Sequence, residues 1–362
     1  MLHLFYSSGE KSVTRVGGGF VTFLGFKLSR LRAPRLRDIL IHLTLMTATL
    51  AVAEVILRVA DLRELRNGYG AGYPIVFQHD AALGWTPIPK SSGKFHGSRD
   101  ISVQHNSLGL RDVEHGSTRR PTILFLGDSY VWGYDVEAKD RFTEHLRDDL
   151  PGMRIVNAGV PGYGTDQEYL LLERLWNRFK PDVVVLMFCT DNDRDDNSTN
   201  MRSDGYYKPY FAPTADGTLR LAGQPVPKSR QVYFNDDPVV RNLWLARAVM
   251  TGYVYLRYPR IAVPDPTERL VGMMQDFVES HGAKFLVGLE NLDLQLVQFL
   301  QARKIPWNDF RGTDHFHVDA AHWTAKGHRQ VANHVLALLW SAGIAGPQSA
   351  AFMGAVMRRS EN

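Results

Sequence analysis

Four short polar or glycine-rich segments each follow a predicted strand or precede a predicted helix, and they contain residue types suited to nucleophilic chemistry. They occupy positions 127–130, 157–165, 190–193 and 319–328. Ser129 leaves a buried strand at a turn, where its hydroxyl can be exposed, although a free serine is a weak nucleophile without a base. His322 can be that base, and Asp319, three residues earlier, can orient its other ring nitrogen. The combination predicts a serine nucleophile activated by a histidine.

The elements that must position these residues alternate between strands and helices from residue 121 onward. This alternation predicts a parallel sheet with helices on both faces, and ligands bind outside the carboxyl ends of such strands. One helix is expected to open with a capping box from Thr165 to Glu168. The predicted strands are 122–126, 154–157, 183–188 and 284–289, and the predicted helices are 165–178, 237–258, 266–281, 293–303 and 325–342.

The four segments, in this order, resemble the SGNH hydrolases, also called GDSL esterases and lipases. That family is named for a serine, a glycine, an asparagine and a histidine, which here would be Ser129, Gly162, Asn192 and His322. The resemblance covers residues 120–340 approximately. It implies a flavodoxin-like three-layer α/β/α sandwich with a central parallel sheet, and a serine esterase that needs no cofactor.

The resemblance also implies roles for the individual residues. The oxyanion donors would be the backbone N–H groups of Ser129 and Gly162 and the side-chain amide of Asn192. The Asp-x-x-His pattern occurs at Asp314–His317 and again at Asp319–His322, and the second matches the last segment of the family. We therefore expect a catalytic triad of Ser129, His322 and Asp319. Two departures from the family pattern are Tyr130, in place of leucine, and Thr190, in place of the commoner glycine.

An N-terminal stretch has the composition of a membrane-spanning helix. Residues 39–57 are nearly free of charge, and a helix of that length would span about 28 Å, close to the hydrocarbon thickness of a bilayer. The first 37 residues contain seven basic residues and one acid, Glu10. This distribution predicts a cytoplasmic N-terminus and export of the remaining chain, to the periplasm in a Gram-negative cell. A secreted protein whose signal peptide is cleaved after Ala53 is the alternative, because residues 51–53 have the small-x-small form.

These patterns divide the chain into five expected parts. A basic cytoplasmic N-terminus (1–38) precedes the membrane anchor or signal segment (39–59), which is followed by an irregular lead-in packed on the main domain (60–120). The hydrolase-type domain follows (121–345), with an insertion at about 194–260 that contains a hairpin, and a tail ends the chain (346–362).

Several other features have ordinary structural explanations. The acidic loop 191–196 lacks the spacing of a metal-binding loop, so we expect no metal. Histidines lie close together at 315, 317, 322 and 328, of which His328 is expected on a helix surface. Cys189, the single cysteine, is expected to be an apolar filler. The aromatic cluster of Tyr206, Tyr207, Tyr210 and Phe211 either packs the insertion down or lines a sugar or acyl site.

The composition is that of a folded globular protein, with 44% apolar and 22% charged residues among 362. It excludes a mainly disordered chain, a collagen and a polytopic membrane protein. A net charge of +4 comes partly from the basic N-terminus, so we expect no nucleic-acid partner. The expected function is hydrolysis of an O-acyl ester, most simply acetyl, on a carbohydrate or lipid. The alternatives are a membrane-anchored O-acetyltransferase acting on a surface polysaccharide and a non-catalytic envelope scaffold that keeps the fold.

Overall fold

A computed structural model describes residues 35–66, 76–117, 119–317 and 322–345. The helices in these ranges are α1 (Leu36–Ala60), α2 (Ser129–Trp132), α3 (Phe142–Asp149), α4 (Thr165–Phe179), α5 (Asp193–Asn197), α6 (Arg230–Asp236), α7 (Pro238–Asn242), α8 (Trp244–Arg257), α9 (Thr267–Ser280), α10 (Leu294–Ala302) and α11 (Ala325–Ser341). The strands are β1 (Phe77–Asp80), β2 (Gly84–Pro87), β3 (Ser92–His96), β4 (Asp100–Gln104), β5 (Thr122–Gly127), β6 (Arg154–Gly159), β7 (Val183–Phe188), β8 (Tyr210–Pro213), β9 (Leu219–Ala222), β10 (Lys284–Leu289) and β11 (Trp307–Asp309).

Five strands form one parallel sheet in the order β11-β10-β7-β5-β6. The predicted parallel sheet is therefore confirmed, and its strand order is flavodoxin-like. The strand that the sequence pattern missed is β11, which has only three residues, all half-buried. The strand order reverses between β5 and β7, and ligands bind at such a switch point beyond the carboxyl ends of the strands. The fold thus places its crevice beside the residues that follow β5.

Alternate residues along each central strand face opposite layers, because successive side chains in a strand point to opposite sides. In β5, Leu124 belongs to the core shared with α4, α9 and α10, whereas Phe125 belongs to the core shared with α3 and α11. Both side chains are fully buried, and burial of one such side chain contributes about 1.5–3 kcal/mol. The result is the expected three-layer α/β/α sandwich.

Two helix boundaries differ from the sequence expectation. The N-cap of α4 is Gly164, not Thr165, and the side chain of Gln167 accepts a hydrogen bond from the Gly164 N–H at 3.4 Å. The expected capping box is therefore wrong, because Glu168 turns into the core. The single helix expected over 237–258 is divided into α7 and α8 by the extended backbone of Leu243.

The segments before and inside the main domain contain three antiparallel hairpins. β1 pairs with β2, β3 pairs with β4, and β8 pairs with β9. The lead-in therefore has more regular structure than its glycine-rich and proline-rich sequence indicated. The hairpin expected in the insertion is β8–β9, with a turn at Asp216 and Gly217.

One helix among the described residues, α1, is long and apolar enough to cross a membrane, with a mean hydropathy of 2.0 and none of its residues buried. A signal sequence near the N-terminus has the same properties. The chain forms two compact units that meet in sequence between Val52 and Ala53. The sheet and the described residues of the four polar segments belong to the second unit.

Candidate active site

Ser129 is the first residue of the short helix α2, directly beyond the carboxyl end of β5. The carboxylate of Asp128 caps this helix by accepting a hydrogen bond from the Tyr130 N–H at 3.0 Å. The hydroxyl of Ser129 lies 3.4 Å from the other oxygen of Asp128. The cap and the strand end together hold Ser129 half-buried, at the edge of the sheet where the fold places its crevice.

His322 lies three residues before α11, and its Nε2 atom is 2.9 Å from the Ser129 Oγ atom. The hydroxyl of Thr324 caps α11 by accepting a hydrogen bond from the Gly327 N–H at 3.0 Å. The backbone carbonyl of His322 accepts a hydrogen bond from the Phe316 N–H at 2.9 Å. These bonds fix the approach of His322 to the serine. The competing histidine, His317, is exposed.

A carboxylate that the sequence did not single out faces the other side of the imidazole. The Nδ1 atom of His322 lies 3.5 Å from the Oδ2 atom of Asp135. The ring stacks on Tyr134 with a centroid distance of 4.6 Å and an interplanar angle of 27°. No sequence motif links Asp135 to His322, because Asp135 lies far away in the sequence, in the loop after α2. The predicted triad residue Asp319 lies outside the described residues.

Gly162 has a conformation and a neighbour that both require glycine. Its φ is +76°, and an added Cβ would lie 1.7 Å from the Nη1 atom of Arg202. The lead-in holds this loop, since Trp85 Nε1 donates to the Pro161 carbonyl at 3.0 Å and the Tyr163 hydroxyl donates to the Trp85 carbonyl at 2.5 Å. Arg202, which comes from the insertion, thus covers the glycine that the family resemblance puts in the oxyanion hole.

Asn192 is the N-cap residue of α5, directly after the loop that follows β7. Its side-chain amide donates a hydrogen bond to Asp196 Oδ2 at 2.8 Å. An amide nitrogen has a second hydrogen that can still serve an oxyanion. Ser129, Gly162 and His322 line one cleft. One hydrogen of the Asn192 amide nitrogen is donated to the Asp196 carboxylate.

That cleft has a volume of about 320 Å³ and is bounded by the main domain, the lead-in and the insertion. The lead-in contributes Phe77, Trp85 and Phe95, and the insertion contributes Arg202 and Tyr206. Polar side chains are interspersed with the aromatic ones; they are Gln78, His79, Asp204, Asn235 and Asp236.

The aromatic cluster of the insertion divides between the two roles considered for it. Tyr206 lines the cleft, with its ring 5.7 Å from that of Trp85. Tyr207 and Phe211 are buried and pack the insertion down. The packing role is thus confirmed for Tyr207 and Phe211, whereas a sugar or acyl site beside Tyr206 stays a prediction.

Three buried carboxyl groups, those of Asp128, Glu168 and Asp193, influence one another near the site. Burial raises the pKa of each, and for Glu168 the neighbouring Asp193 and Asp128 raise the pKa further. Neither side-chain oxygen of Glu168 has a hydrogen-bond partner in the described part of the chain. Among the described residues no group of three or more His, Cys, Asp or Glu side chains could hold a metal ion.

His328 is buried, which makes the expectation of a surface position wrong. It sits one turn into α11 on the face that packs against α3, and its Nδ1 atom accepts a hydrogen bond from the Phe142 N–H at 3.3 Å. Burial lowers the pKa of His328 well below its ordinary value. Cys189 is buried, at the end of β7, in the position expected of an apolar filler.

One family model matches more than half of the chain. Residues 125–330 match the model of the GDSL-like lipase/acylhydrolase family. Among solved structures, TesA aligns at 14% identity over 60% of this chain and 97% of its own, with a TM-score of 0.36. A lipolytic protein of the G-D-S-L family from Veillonella parvula aligns at 15% identity over 60% and 96%, with a TM-score of 0.35. The psychrotrophic esterase EstA from Pseudoalteromonas aligns at 11% identity over 61% and 97%, with a TM-score of 0.34. No curated protein sequence matches the chain.

Proposed function

Since the chain belongs to the GDSL-like lipase/acylhydrolase family and is an ester-bond hydrolase, we propose that it removes an acetyl group from a hydroxyl of a carbohydrate, with Ser129 as nucleophile and His322 as base. The observation that carries this proposal is the 2.9 Å contact between Ser129 Oγ and His322 Nε2 at the carboxyl edge of the sheet. A base within hydrogen-bonding distance is what a serine needs in order to attack a carbonyl carbon.

The reaction has two stages with the same base. Ser129 Oγ attacks the ester carbonyl while its proton moves to His322 Nε2, and the tetrahedral intermediate collapses when that proton passes to the departing sugar oxygen. Water then attacks the acyl-enzyme, gives a proton to His322, and releases acetate with return of the proton to Ser129. On the Nδ1 side of the ring a carboxylate is needed, for which the family resemblance offers Asp319.

The negative charge of the tetrahedral intermediate needs donors that are already in place. We assign this role to the backbone N–H groups of Ser129 and Gly162 and to the side-chain amide of Asn192. Loss of one such donor costs about 2.7–4 kcal/mol of transition-state stabilisation in other enzymes of this kind. Arg202, whose guanidinium covers Gly162, adds positive charge near the same position.

The mixed lining of the cleft favours a sugar over a long acyl chain. Aromatic rings such as Tyr206 and Trp85 offer apolar faces, and Asn235 and Asp236 offer hydrogen-bond partners for hydroxyl groups. A long acyl chain offers no hydrogen-bonding group to these polar side chains and would remove water from them. In this proposal the lead-in and the insertion are both part of the substrate site.

The location follows from the proposed role of α1. We propose that α1 anchors the protein in a membrane with its basic N-terminus on the cytoplasmic side and the hydrolase domain exported. The basic residues before it support this orientation. Cleavage after Ala53 would release the same domain as a secreted protein.

The test is ester hydrolysis by the full chain in detergent micelles. Initial rates on p-nitrophenyl acetate, butyrate and octanoate are compared for the parent, Ser129→Ala and Ser280→Ala, a control serine that is exposed at the end of α9. We expect the acetate ester to be preferred, the Ser129 variant to lose at least about 1,000-fold, and the Ser280 variant to match the parent. Equal rates for the parent and Ser129→Ala would overturn the proposal.

The same proteins distinguish hydrolysis from transfer. Acetate release from an acetylated xylo-oligosaccharide is expected from the parent without any added acceptor. If acetyl release from p-nitrophenyl acetate rises steeply when an unmodified oligosaccharide is added, and the acetyl group appears on that sugar, the enzyme is a transferase and the hydrolytic proposal is wrong.

A further inference from the structure

We infer that an exposed apolar stripe on α8 lies against the lipid surface of the membrane that α1 crosses, so that the exported domain contacts the bilayer through a second helix. The stripe consists of Leu245, Val249, Tyr253 and Leu256. The inference rests on the proposed anchoring role of α1 and is independent of the proposed chemistry at Ser129.

The last two turns of α1 are joined to the first turn of α8. They belong to the same compact unit as the hydrolase domain. The carboxylate of Glu54 accepts hydrogen bonds from the backbone N–H groups of Trp244 at 3.0 Å and Leu245 at 2.8 Å. Arg58, one turn further along α1, lies 2.6 Å from Glu54 and donates to the Asn242 carbonyl at 2.6 Å. The beginning of α8 is therefore fixed to the end of α1.

The position of Glu54 in the sequence places this junction near the membrane surface. Glu54 is the only formally charged residue in the stretch 39–57, and it lies three residues before the end of that stretch. A carboxylate inside the hydrocarbon is costly, whereas one at its boundary with partners is tolerated. Two N–H groups at the N-terminus of a helix are suitable partners, because the helix dipole favours a negative charge there. If α1 spans the bilayer, the first turn of α8 must lie close to the lipid headgroups.

α8 has one buried face and one exposed apolar face. Val254, on the buried face, packs with Tyr207 of the insertion. On the opposite face Val249 is 68% exposed, Tyr253 52% and Leu256 89%. These three residues are spaced by four and by three positions, so they lie along one side of the helix.

The exposed stripe begins where α1 is attached. Its first residue, Leu245, is the residue whose backbone N–H binds Glu54. Single exposed apolar side chains are common on soluble proteins, but a continuous row of them along a helix is typical of an interaction surface. Because this row starts beside the end of a candidate membrane helix, the surface nearest to it is the bilayer.

The side chains next to the stripe are those that a membrane interface favours. Tyr253 and Tyr255 are exposed aromatic residues with a polar end, a type enriched at the level of lipid headgroups. Arg257 and Arg260 follow at the C-terminal end of the stripe and are exposed, and α8 itself contains no acidic residue. Apolar, aromatic and basic side chains together are typical of a helix that lies in the interface of a membrane with anionic lipids.

The test is quenching of a fluorescent label by lipids that carry a nitroxide near the headgroup. The full chain is reconstituted into vesicles of phosphatidylcholine and phosphatidylglycerol, with a polarity-sensitive fluorophore on a cysteine introduced as Val249→Cys or Leu256→Cys. Both side chains are exposed, and thermal unfolding of each variant verifies that it is folded. Cys189, the single native cysteine, is buried, so the labelled parent measures the background.

Two further labelled variants are the controls. Trp340→Cys replaces an apolar side chain that is also exposed, at 57%, but lies on α11 in the helical layer formed with α3. Leu45→Cys lies within α1 and reports whether this helix is in the bilayer, with lipids that carry the nitroxide deeper along the acyl chain.

A helix in the interface is buried about 5–10 Å into the headgroup and acyl boundary, within reach of a shallow nitroxide. We expect the nitroxide lipid to lower the emission of the labels at positions 249 and 256 at least about twofold. The emission of the label in Trp340→Cys should change by less than about 1.2-fold. The label in Leu45→Cys should be quenched by the deeper nitroxide.

The other outcomes overturn the inference in distinguishable ways. If Leu45→Cys is quenched but the two stripe positions behave like Trp340→Cys, α8 does not touch the membrane although α1 is inserted. If a stripe label shifts to shorter wavelength in the vesicles without being quenched, protein covers the stripe, for example a second copy of the chain. If Leu45→Cys is not quenched, the proposed anchor fails, and the inference fails with it. Ester hydrolysis by the parent and Ser129→Ala reports separately on the proposed chemistry.

Discussion

The ammonium group of Lys208, in the insertion, is buried against the carboxylate of Asp166 in the first turn of α4, and both side chains are fully inaccessible to solvent. Lys208 Nζ also donates to the backbone carbonyls of Asp196 at 2.8 Å and of Thr199 and Pro209 at 3.2 Å. Its positive charge is thus completely enclosed by acceptors from α4, α5 and the insertion. This contact ties the insertion, and with it the cleft wall, to the core of the main domain.

Replacing Lys208 by methionine should therefore destabilise the fold strongly. The variant leaves the buried Asp166 carboxylate with the Gln167 N–H but without its positively charged partner, and loss of such a partner costs about 3–5 kcal/mol in other proteins. Equilibrium urea unfolding measures the change. The control is Lys228→Met, which breaks an exposed pair with Asp236 and should cost at most about 1 kcal/mol. Equal losses in the two variants would show that the buried pair does not hold the insertion.

Glu168 should make the protein less stable as the pH rises. Because its pKa is raised in the folded state, the folded protein binds more protons than the unfolded chain above pH 4.5, and stability falls with increasing pH until the folded pKa is reached. We expect Glu168→Gln to remove this dependence, worth about 1.4 kcal/mol per pH unit for one group. The variant should melt higher than the parent at pH 8, with a smaller difference at pH 5.

The control for that comparison is Glu173→Gln, on the exposed face of the same helix. It should follow the parent at both pH values. If Glu168→Gln melts lower than the parent at pH 8, the carboxyl group has a stabilising partner and the buried-acid account is wrong.

Gly162→Ala should lower activity more than the same substitution at another glycine with a similar positive φ. The new methyl group would meet the guanidinium of Arg202 at the proposed oxyanion donor, and the φ of +76° adds strain. Gly217 has a similar φ of +84° but nothing within 4 Å of an added Cβ, so Gly217→Ala isolates the strain. We expect at least about a 100-fold loss of kcat for Gly162→Ala and parent-like kcat for Gly217→Ala. Full activity of Gly162→Ala would remove this loop from the site.

Two histidines in the same sequence pattern should respond differently to substitution. His322→Gln removes the base that lies 2.9 Å from Ser129 Oγ and should lower kcat at least about 1,000-fold. His317→Gln changes an exposed side chain and should leave kcat within about twofold. Rates on p-nitrophenyl acetate provide the comparison, and the reverse order of the two variants would assign the base to His317.

The parts of the site that depend on local sequence could be predicted, because a buried strand followed by a turn leaves a clear pattern. The strand before Ser129 is uniformly apolar, and the parallel sheet followed from its alternation with helices. The predicted positions of Glu168, in a capping box, and of His328, on a helix surface, were both wrong. Their burial depends on which face of a helix meets the sheet, and the sequence around them suits an exposed position as well.

The rest of the site could not be predicted because it depends on contacts between distant segments. Asp135 is directed by a hairpin turn whose residues lie about 36 positions earlier, and no spacing rule links them. Arg202 reaches Gly162 from the insertion, which the contact of Lys208 with Asp166 joins to α4. The lead-in makes two of these contacts, although its composition indicated an irregular segment. Trp85 donates a hydrogen bond to the loop that contains Gly162, and the Arg99 N–H donates one to Asp135.

The central claim is that Ser129 is the nucleophile that His322 activates. The most direct measurement is labelling of the full chain with a fluorophosphonate, followed by peptide mass spectrometry, for the parent, Ser129→Ala and His322→Gln. The account predicts one modified residue, Ser129, with no labelling in Ser129→Ala and labelling at least about 100 times slower in His322→Gln. Labelling of another residue, or equal rates in the parent and His322→Gln, would contradict it.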